Sequence, residues 1–110
     1  MAKIVVLVLS GPSDKRKVMT GLMFAKMAEE SGELEDVKLI ISAQAVEIFK
    51  EPDFRDVLEN VKAALTPTVC KMNAEGAGVA GEVESQGVPL AAVGKELIGL
   101  LNDGYKVLTF

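Results

Sequence analysis

The 110-residue sequence contains no histidine and only one cysteine, Cys70. Without an imidazole there can be no Ser-His-Asp triad, no Cys-His pair and no histidine ligand for a metal. A single thiol cannot form an internal disulfide, a Cys-x-x-Cys redox pair or a thiolate cluster for zinc or iron–sulfur within one chain. We therefore expect no metal and no cofactor, and a protein that suits the reducing cytoplasm.

The sequence also lacks an excess of positive charge and a long hydrophobic run. Its formal net charge is -4, so no domain-wide basic field would attract nucleic acid. The apolar run at residues 4–9 is far shorter than the ~20 residues that a membrane helix needs, and no signal-peptide cleavage pattern follows it. We expect neither nucleic-acid binding nor a membrane span. The composition, 49% hydrophobic and 25% charged, fits one domain over residues 1–110.

Short β-branched runs alternate with helical patterns along the chain, which is typical of an α/β fold with a parallel sheet covered on both faces. A first helix begins after the turn "GPSD", with Ser13 or Asp14 as its N-cap, and ends near Ser31, where Gly32 stops it. We predict strands at residues 3–9, 36–42, a short one ending near Val69, 88–93 and 105–110. We predict the other helices at 43–50, from Pro52, briefly after Cys70, and at 94–101, with irregular chain through the glycine-rich residues 75–87.

The segment "GPSDKRKV", residues 11–18, has the length of a phosphate-binding loop but not its chemistry. Arg16 stands where the second glycine belongs, and Val18 stands where the magnesium-binding Ser or Thr belongs. A nucleoside triphosphatase is therefore excluded. The three cations Lys15, Arg16 and Lys17 lie in the first helical turn, where the helix dipole disfavours them. They are either a docking point for an anionic donor or an acidic partner, or a solvated turn offset by Asp14.

Cys70 is the main candidate for chemistry because it follows the third strand and opens a helix. In an α/β sheet this position lies in the crevice at the carboxyl ends of the strands, where such folds bind ligands. The helix N-terminus and the neighbouring Lys71 favour the nucleophilic thiolate, and we expect a thiol that is at least partly exposed. The other interpretation is that Cys70 is a small buried hydrophobic residue.

Three methionines recur at a spacing of four on the first helix. Helical geometry places Val18, Leu22 and Ala25 on the side facing the sheet, and Met19, Met23 and Met27 on the outer side. Such an apolar row is typical of an interface, so we expect a homo-oligomer that buries these methionines. The alternative is that another segment of the same chain packs there.

Three segments together resemble the DsrE/DsrF-like sulfur-relay family: "VCKMNAEG" after strand three, "VPLAAVGKEL" on strand four, and the closing "LLNDGYKVLTF". The resemblance implies a three-layer α/β/α fold whose five-stranded parallel sheet has the order 4-3-2-1-5. It also implies assembly as a trimer or hexamer, and sulfur carried as a persulfide on Cys70. Around Cys70 we expect the crevice to be lined by residues from the strand ends, namely Ser10, Gly11, Ser42, Lys71, Asn73 and Gly94.

A sulfur carrier can function with one thiol and no histidine. Its thiolate attacks a donor persulfide and later yields the outer sulfur to a partner's thiolate. We therefore expect a sulfurtransferase-type persulfide carrier whose partners are donor and acceptor proteins, and leave open whether it is an enzyme. Two alternatives remain: a binding module for a small anionic or nucleotide-like ligand, and a structural subunit of an oligomer with an inert cysteine.

Overall fold

The computed structural model describes residues 1–110 and contains a five-stranded, all-parallel sheet in the order β4-β3-β2-β1-β5. The α/β class expected from the sequence pattern and the strand order implied by the family resemblance are both confirmed. Because every connection is a crossover, each helix that follows a strand begins at the carboxyl edge of the sheet. The strands are β1 (Lys3–Val8), β2 (Asp36–Ile41), β3 (Thr68–Cys70), β4 (Leu90–Ala91) and β5 (Lys106–Thr109).

The helices form two unequal layers on the faces of the sheet. The α-helices are α1 (Lys15–Ser31), α2 (Arg55–Ala64), α3 (Lys71–Gly76), α4 (Ala80–Ser85) and α5 (Val93–Asn102), and short 3-10 segments span Pro12–Asp14, Ala43–Lys50 and Pro52–Phe54. Buried residues of α1 to α4 share one hydrophobic core, whereas α5 packs in a separate small cluster on the other face. No helix of this fold is both long and apolar enough to span a bilayer.

Successive side chains of β1 alternate between the large hydrophobic core and the small cluster. Ile4, Val6 and Val8 belong to the large core, while Val5 belongs to the small cluster beneath α5. This follows from the two-residue period of a strand, which sends successive side chains to opposite faces. The strand is apolar throughout because helices cover both faces.

Helix α1 follows its predicted pattern except at Met19. Asp14 occupies the N-cap position, although its side chain makes no capping hydrogen bond, and Gly32 ends the helix with a left-handed φ of 67°. The side facing the sheet is buried as predicted, but Met19 is half-buried and packs against the large core. An i, i+4 row shifts about 40° around a helix at each step. Met19 therefore lies at the margin of the buried side, and only Met23 and Met27, at 44% and 62% exposure, lie on the outer side.

Two other predictions, in and just after the glycine-rich residues 75–87, were wrong. Residues 80–85 form helix α4 rather than irregular chain, because Val79 and Val83 anchor this segment to the core. Strand β4 has two residues rather than the predicted six. Its pairing with β3 covers Val69↔Leu90 and Cys70↔Ala91, and α5 begins directly afterwards at Val93.

Candidate functional site

Cys70 is the last residue of β3 and lies at the carboxyl edge of the sheet, as expected. It pairs with Ala91 of β4, and the β2–β3 register places Ser42 one step beyond the final pair Ile41↔Val69, beside Cys70. Ser42 is extended, so its side chain and that of Cys70 point to the same face of the sheet. The strand ends therefore bring a hydroxyl next to the only thiol of the chain.

The thiol is buried rather than partly exposed. Cys70 has 8% of its surface exposed and belongs to the cluster beneath α5, with Val5, Ile40 and Val93. Val93 reaches this cluster because α5 begins immediately after the residue pair that joins β3 to β4. The access of reagents and partners to the sulfur atom is therefore restricted, and local opening of this region would increase it.

One hydrogen bond is directed at the sulfur atom. The backbone N–H of Asn73 donates to Cys70 Sγ at 3.5 Å, so Cys70 caps the first turn of α3 with its own side chain. Helix α3 has six residues, and Lys71 in its first turn is exposed. The amide of Asn73 is thus the hydrogen-bond donor that the structure gives to the thiol.

The side chain of Asn73 joins this turn to the end of β2. Its Oδ1 atom accepts hydrogen bonds from Ser42 Oγ at 2.8 Å and from the backbone N–H of Ala43 at 2.9 Å. Ala43 has a φ of 52° and is the one non-glycine residue with a positive φ. Left-handed backbone is unfavourable for alanine, and such residues cluster at functional sites. Asn73 therefore supports a strained peptide beside Cys70.

The remaining expected site residues lie at the same edge but differ in their contacts. A Cβ on Gly11 would lie 2.8 Å from Gln44 Cβ, so the turn after β1 packs tightly on the segment after Ala43. The backbone N–H of Ser10 donates to the carbonyl of Phe110 at 3.3 Å, which joins the turn after β1 to the residue that follows β5. Gly94 is exposed in the first turn of α5, next to Val93. Of the predicted set, Ser42, Cys70 and Asn73 form one bonded group.

A shallow depression adjoins this group. Its lining comes from the start of the 3-10 segment after β2 and from α3, and comprises Ala43, Gln44, Glu47, Met72, Asn73, Gly76 and Ala77. Met72 is 75% exposed, so an apolar side chain stands at the rim. Asn73 belongs to both the depression and the bonded group, and Ala43, which donates its backbone N–H to Asn73, also lines the depression.

None of the ion pairs of the fold includes Ser42, Cys70 or Asn73. In the basic first turn of α1, Lys15 pairs with Asp53 at 3.6 Å across two exposed side chains, a contact worth little in water. At the opposite, amino edge of the sheet, the Tyr105 hydroxyl donates to Asp36. That hydrogen bond lowers the pKa of the Asp36 carboxyl and raises the pKa of Tyr105 to about 12. No group of three acidic or cysteine side chains is arranged to hold a metal ion.

Two residues of this site had no signal in the sequence. Ala43 has a left-handed backbone conformation, which glycine, asparagine or aspartate usually adopts. An alanine at this position therefore did not predict the positive φ. Val93 looks like an ordinary strand residue, and its contact with Cys70 depends on β4 ending after two residues. Both positions are set by tertiary packing rather than by local pattern.

Comparison with known proteins identifies the relatives of this chain. The model of the DsrE/DsrF-like family matches residues 2–110. A conserved protein of unknown function from Bacteroides thetaiotaomicron, BT1422, superposes with a TM-score of 0.82 at 19% identity, covering 96% of this chain and 94% of that one. The ychN protein from E. coli superposes with a TM-score of 0.77 at 22% identity over 100% of both chains. These two likenesses show the fold alone. No curated protein matches the sequence.

Proposed function

Since this chain belongs to the DsrE/DsrF-like family, we propose that it is a small sulfur carrier that holds one sulfur atom as a persulfide on Cys70. The observation that carries the proposal is the position of the only thiol. Cys70 ends β3 at the carboxyl edge of the sheet and receives a backbone hydrogen bond on its sulfur atom. This edge is where open α/β sheets bind their ligands.

The proposed chemistry consists of two thiol exchanges without net oxidation. In the first, the Cys70 thiolate attacks the outer sulfur of a donor persulfide; the new S–S bond forms as the donor's S–S bond breaks, and the donor leaves as a thiolate. In the second, an acceptor thiolate attacks the outer sulfur on Cys70. The acceptor then holds the persulfide, and Cys70 returns to its thiolate form.

A lone, buried cysteine suits a carrier of this kind. A second cysteine nearby could attack the persulfide, form an internal disulfide and release the sulfur as sulfide, but the chain has none. Burial at 8% exposure restricts the access of small thiols in solution to Cys70. Loading and discharge then depend on local opening around Cys70.

The proposed carrier works between two partner proteins, a donor and an acceptor, each with its own reactive thiol. Its compartment is the reducing cytoplasm. We further propose that the protein is a homo-oligomer whose interface includes Met23 and Met27. Ile98 and Leu101 on α5, at 63% and 52% exposure, are further apolar side chains that an assembly would cover.

The test is the intact mass of the protein after exposure to a persulfide donor. The wild-type chain should gain the mass of one sulfur atom, and Cys70→Ser should gain none. A matched control places an exposed thiol elsewhere, with Ser31→Cys in the Cys70→Ser chain. Ser31 ends α1 and is exposed, so this thiol should load but lose its sulfur quickly to added small thiols, whereas Cys70 should retain it.

Other outcomes point to the other functions. If Cys70 is alkylated slowly, takes up no sulfur, and the protein is stabilised by a small anionic ligand, the chain is a binding module. If Cys70 gains no sulfur and no ligand stabilises the protein, the chain is a structural subunit. If the Ser31→Cys control retains its sulfur as long as Cys70 does, the site contributes nothing and the carrier proposal is wrong.

A further inference from the structure

Asn73 connects three chain segments through one side chain and one amide. Its backbone N–H contacts Cys70 Sγ, and its Oδ1 accepts from Ser42 Oγ and from the N–H of Ala43. These contacts span 30 and 31 residues of sequence between β2 and α3. Side-chain hydrogen bonds of this kind fix the relative position of two loops that strand pairing no longer holds.

The peptide that Asn73 holds would not favour its conformation alone. Ala43 has a φ of 52°, a left-handed conformation that is unfavourable for alanine and persists only when surrounding contacts enforce it. The hydrogen bond to its N–H is such a contact, and the close approach of Gly11 to Gln44 is another. Without the Asn73 side chain, the hydroxyl of Ser42 and the backbone N–H of Ala43 would each lose a hydrogen-bond acceptor.

This peptide lies beside the thiol at the carboxyl edge of the sheet. Ser42 is the neighbour of Cys70 across the sheet, and Ala43 and Asn73 line the depression. Cys70 also belongs to the buried cluster that includes Val93 of α5. Movement of the Ser42–Ala43 peptide would therefore loosen the packing beside the sulfur atom on the β2 side, with the sheet and α5 left in place.

We infer that Asn73 is a positioning residue that holds the Ser42–Ala43 peptide beside Cys70 and so limits access to the thiol at the carboxyl edge of the sheet. As far as it concerns the persulfide, this inference rests on the proposed function. A persulfide on Cys70 would be retained while Asn73 holds the peptide, and would be exposed when an arriving partner displaces it. The access of a neutral reagent to the thiol depends on Asn73 whether or not sulfur is ever carried.

The test compares three variants and a control. Asn73→Ala removes the side-chain acceptor, and Asn73→Asp keeps an oxygen in the same place. Ala43→Gly in the Asn73→Ala chain removes the conformational strain, because glycine adopts positive φ without a steric penalty. The control is Asn102→Ala, an exposed asparagine at the end of α5. Three quantities are measured: hydrogen exchange at the amides of residue 43 and Val6, alkylation of Cys70 by iodoacetamide, and persulfide half-life with added small thiol.

Asn73→Ala should raise alkylation and amide exchange at residue 43 by about tenfold, because the lost hydrogen bonds favour local opening. The persulfide half-life should shorten in proportion. Exchange at Val6, in the centre of the sheet, should not change. Asn73→Asp should stay close to wild type, Ala43→Gly should recover part of the lost protection, and Asn102→Ala should have no effect.

Three results would overturn the inference. The first is an unchanged alkylation rate in Asn73→Ala. The second is an equal increase in Asn73→Ala and Asn73→Asp, because the retained oxygen would then have no role. The third is parallel acceleration at residue 43 and Val6, which would mean that Asn73 stabilises the whole fold. If wild-type protein takes up no sulfur, the proposed function fails, and alkylation and exchange still decide the role of Asn73.

Discussion

Gly21 lies in close contact with Phe110, so the packing between them decides whether Gly21→Ala raises or lowers the free energy of unfolding. Gly21 lies inside α1, and a Cβ there would be 2.9 Å from both Cβ and Cγ of Phe110 and 3.1 Å from Cγ2 of Val8. A glycine-to-alanine change in a helix interior ordinarily stabilises by about 1 kcal/mol. Inserting a methyl group into a well-packed contact costs about 1–3 kcal/mol. We therefore expect Gly21→Ala to lower the free energy of unfolding by between about zero and 2 kcal/mol.

Gly99 supplies the matched control for this substitution. It lies in α5, and a Cβ there would have no atom within 4 Å. Gly99→Ala should therefore raise the free energy of unfolding by up to about 1 kcal/mol. Because both variants share the change in helix propensity, the difference between them, about 1–3 kcal/mol, isolates the contact with Phe110 and Val8.

Urea denaturation followed by circular dichroism measures both values, and an unchanged m-value verifies that the unfolding reaction is comparable. The contact is refuted if Gly21→Ala stabilises the protein as much as Gly99→Ala does. That result would mean that the β5 end does not pack over α1 as the structure has it.

Two further predictions concern the amino edge of the sheet and the assembly. The Tyr105–Asp36 hydrogen bond should stabilise the fold most between the ordinary pKa of Asp36, 3.8, and that of Tyr105, 10.0. Its contribution should be lost as pH falls below 3.8, because the folded-state pKa of Asp36 is lowered, and as pH rises towards about 12, because that of Tyr105 is raised. Tyr105→Phe should therefore flatten the pH dependence of urea unfolding at both ends, and an unchanged profile would contradict the pairing. Met23→Glu should reduce the assembly size in light scattering while helical content is kept, with Asn60→Glu, at an exposed position of α2, as the control. A monomeric wild type at micromolar concentration would refute the interface.

Much of the fold follows from periodicity and termination signals in the sequence. The apolar run at β1, the glycine that stops α1 and the β-branched run at β2 predicted those elements to within a residue or so. The strand order came from the family resemblance, since local patterns do not specify which strands pair. Helix α4 was missed because glycines at 76, 78, 81 and 87 outweighed the apolar anchors Val79 and Val83.

The candidate site was predictable in its position but not in its contacts. A cysteine after a strand and before a helix places a thiol at the carboxyl edge, and this is confirmed for Cys70. Its burial under Val93 and the support of Ala43 by Asn73 depend on residues distant in sequence. The position of Met19 was also not predicted. Residues at i and i+4 differ by about 40° around the helix, and this shift is enough for Met19 to pack against the core while Met23 and Met27 stay on the outer side.

The most direct test of a sulfur carrier is whether it surrenders what it takes up. Protein loaded from a persulfide donor and separated from it should carry one extra sulfur atom on Cys70 by intact mass. On addition of a thiol-bearing acceptor protein, that mass should disappear from the carrier as an equal amount of persulfide appears on the acceptor, and the carrier's thiol should be regenerated. Failure to load, or release of the sulfur as sulfide with no persulfide on any acceptor, would contradict the account.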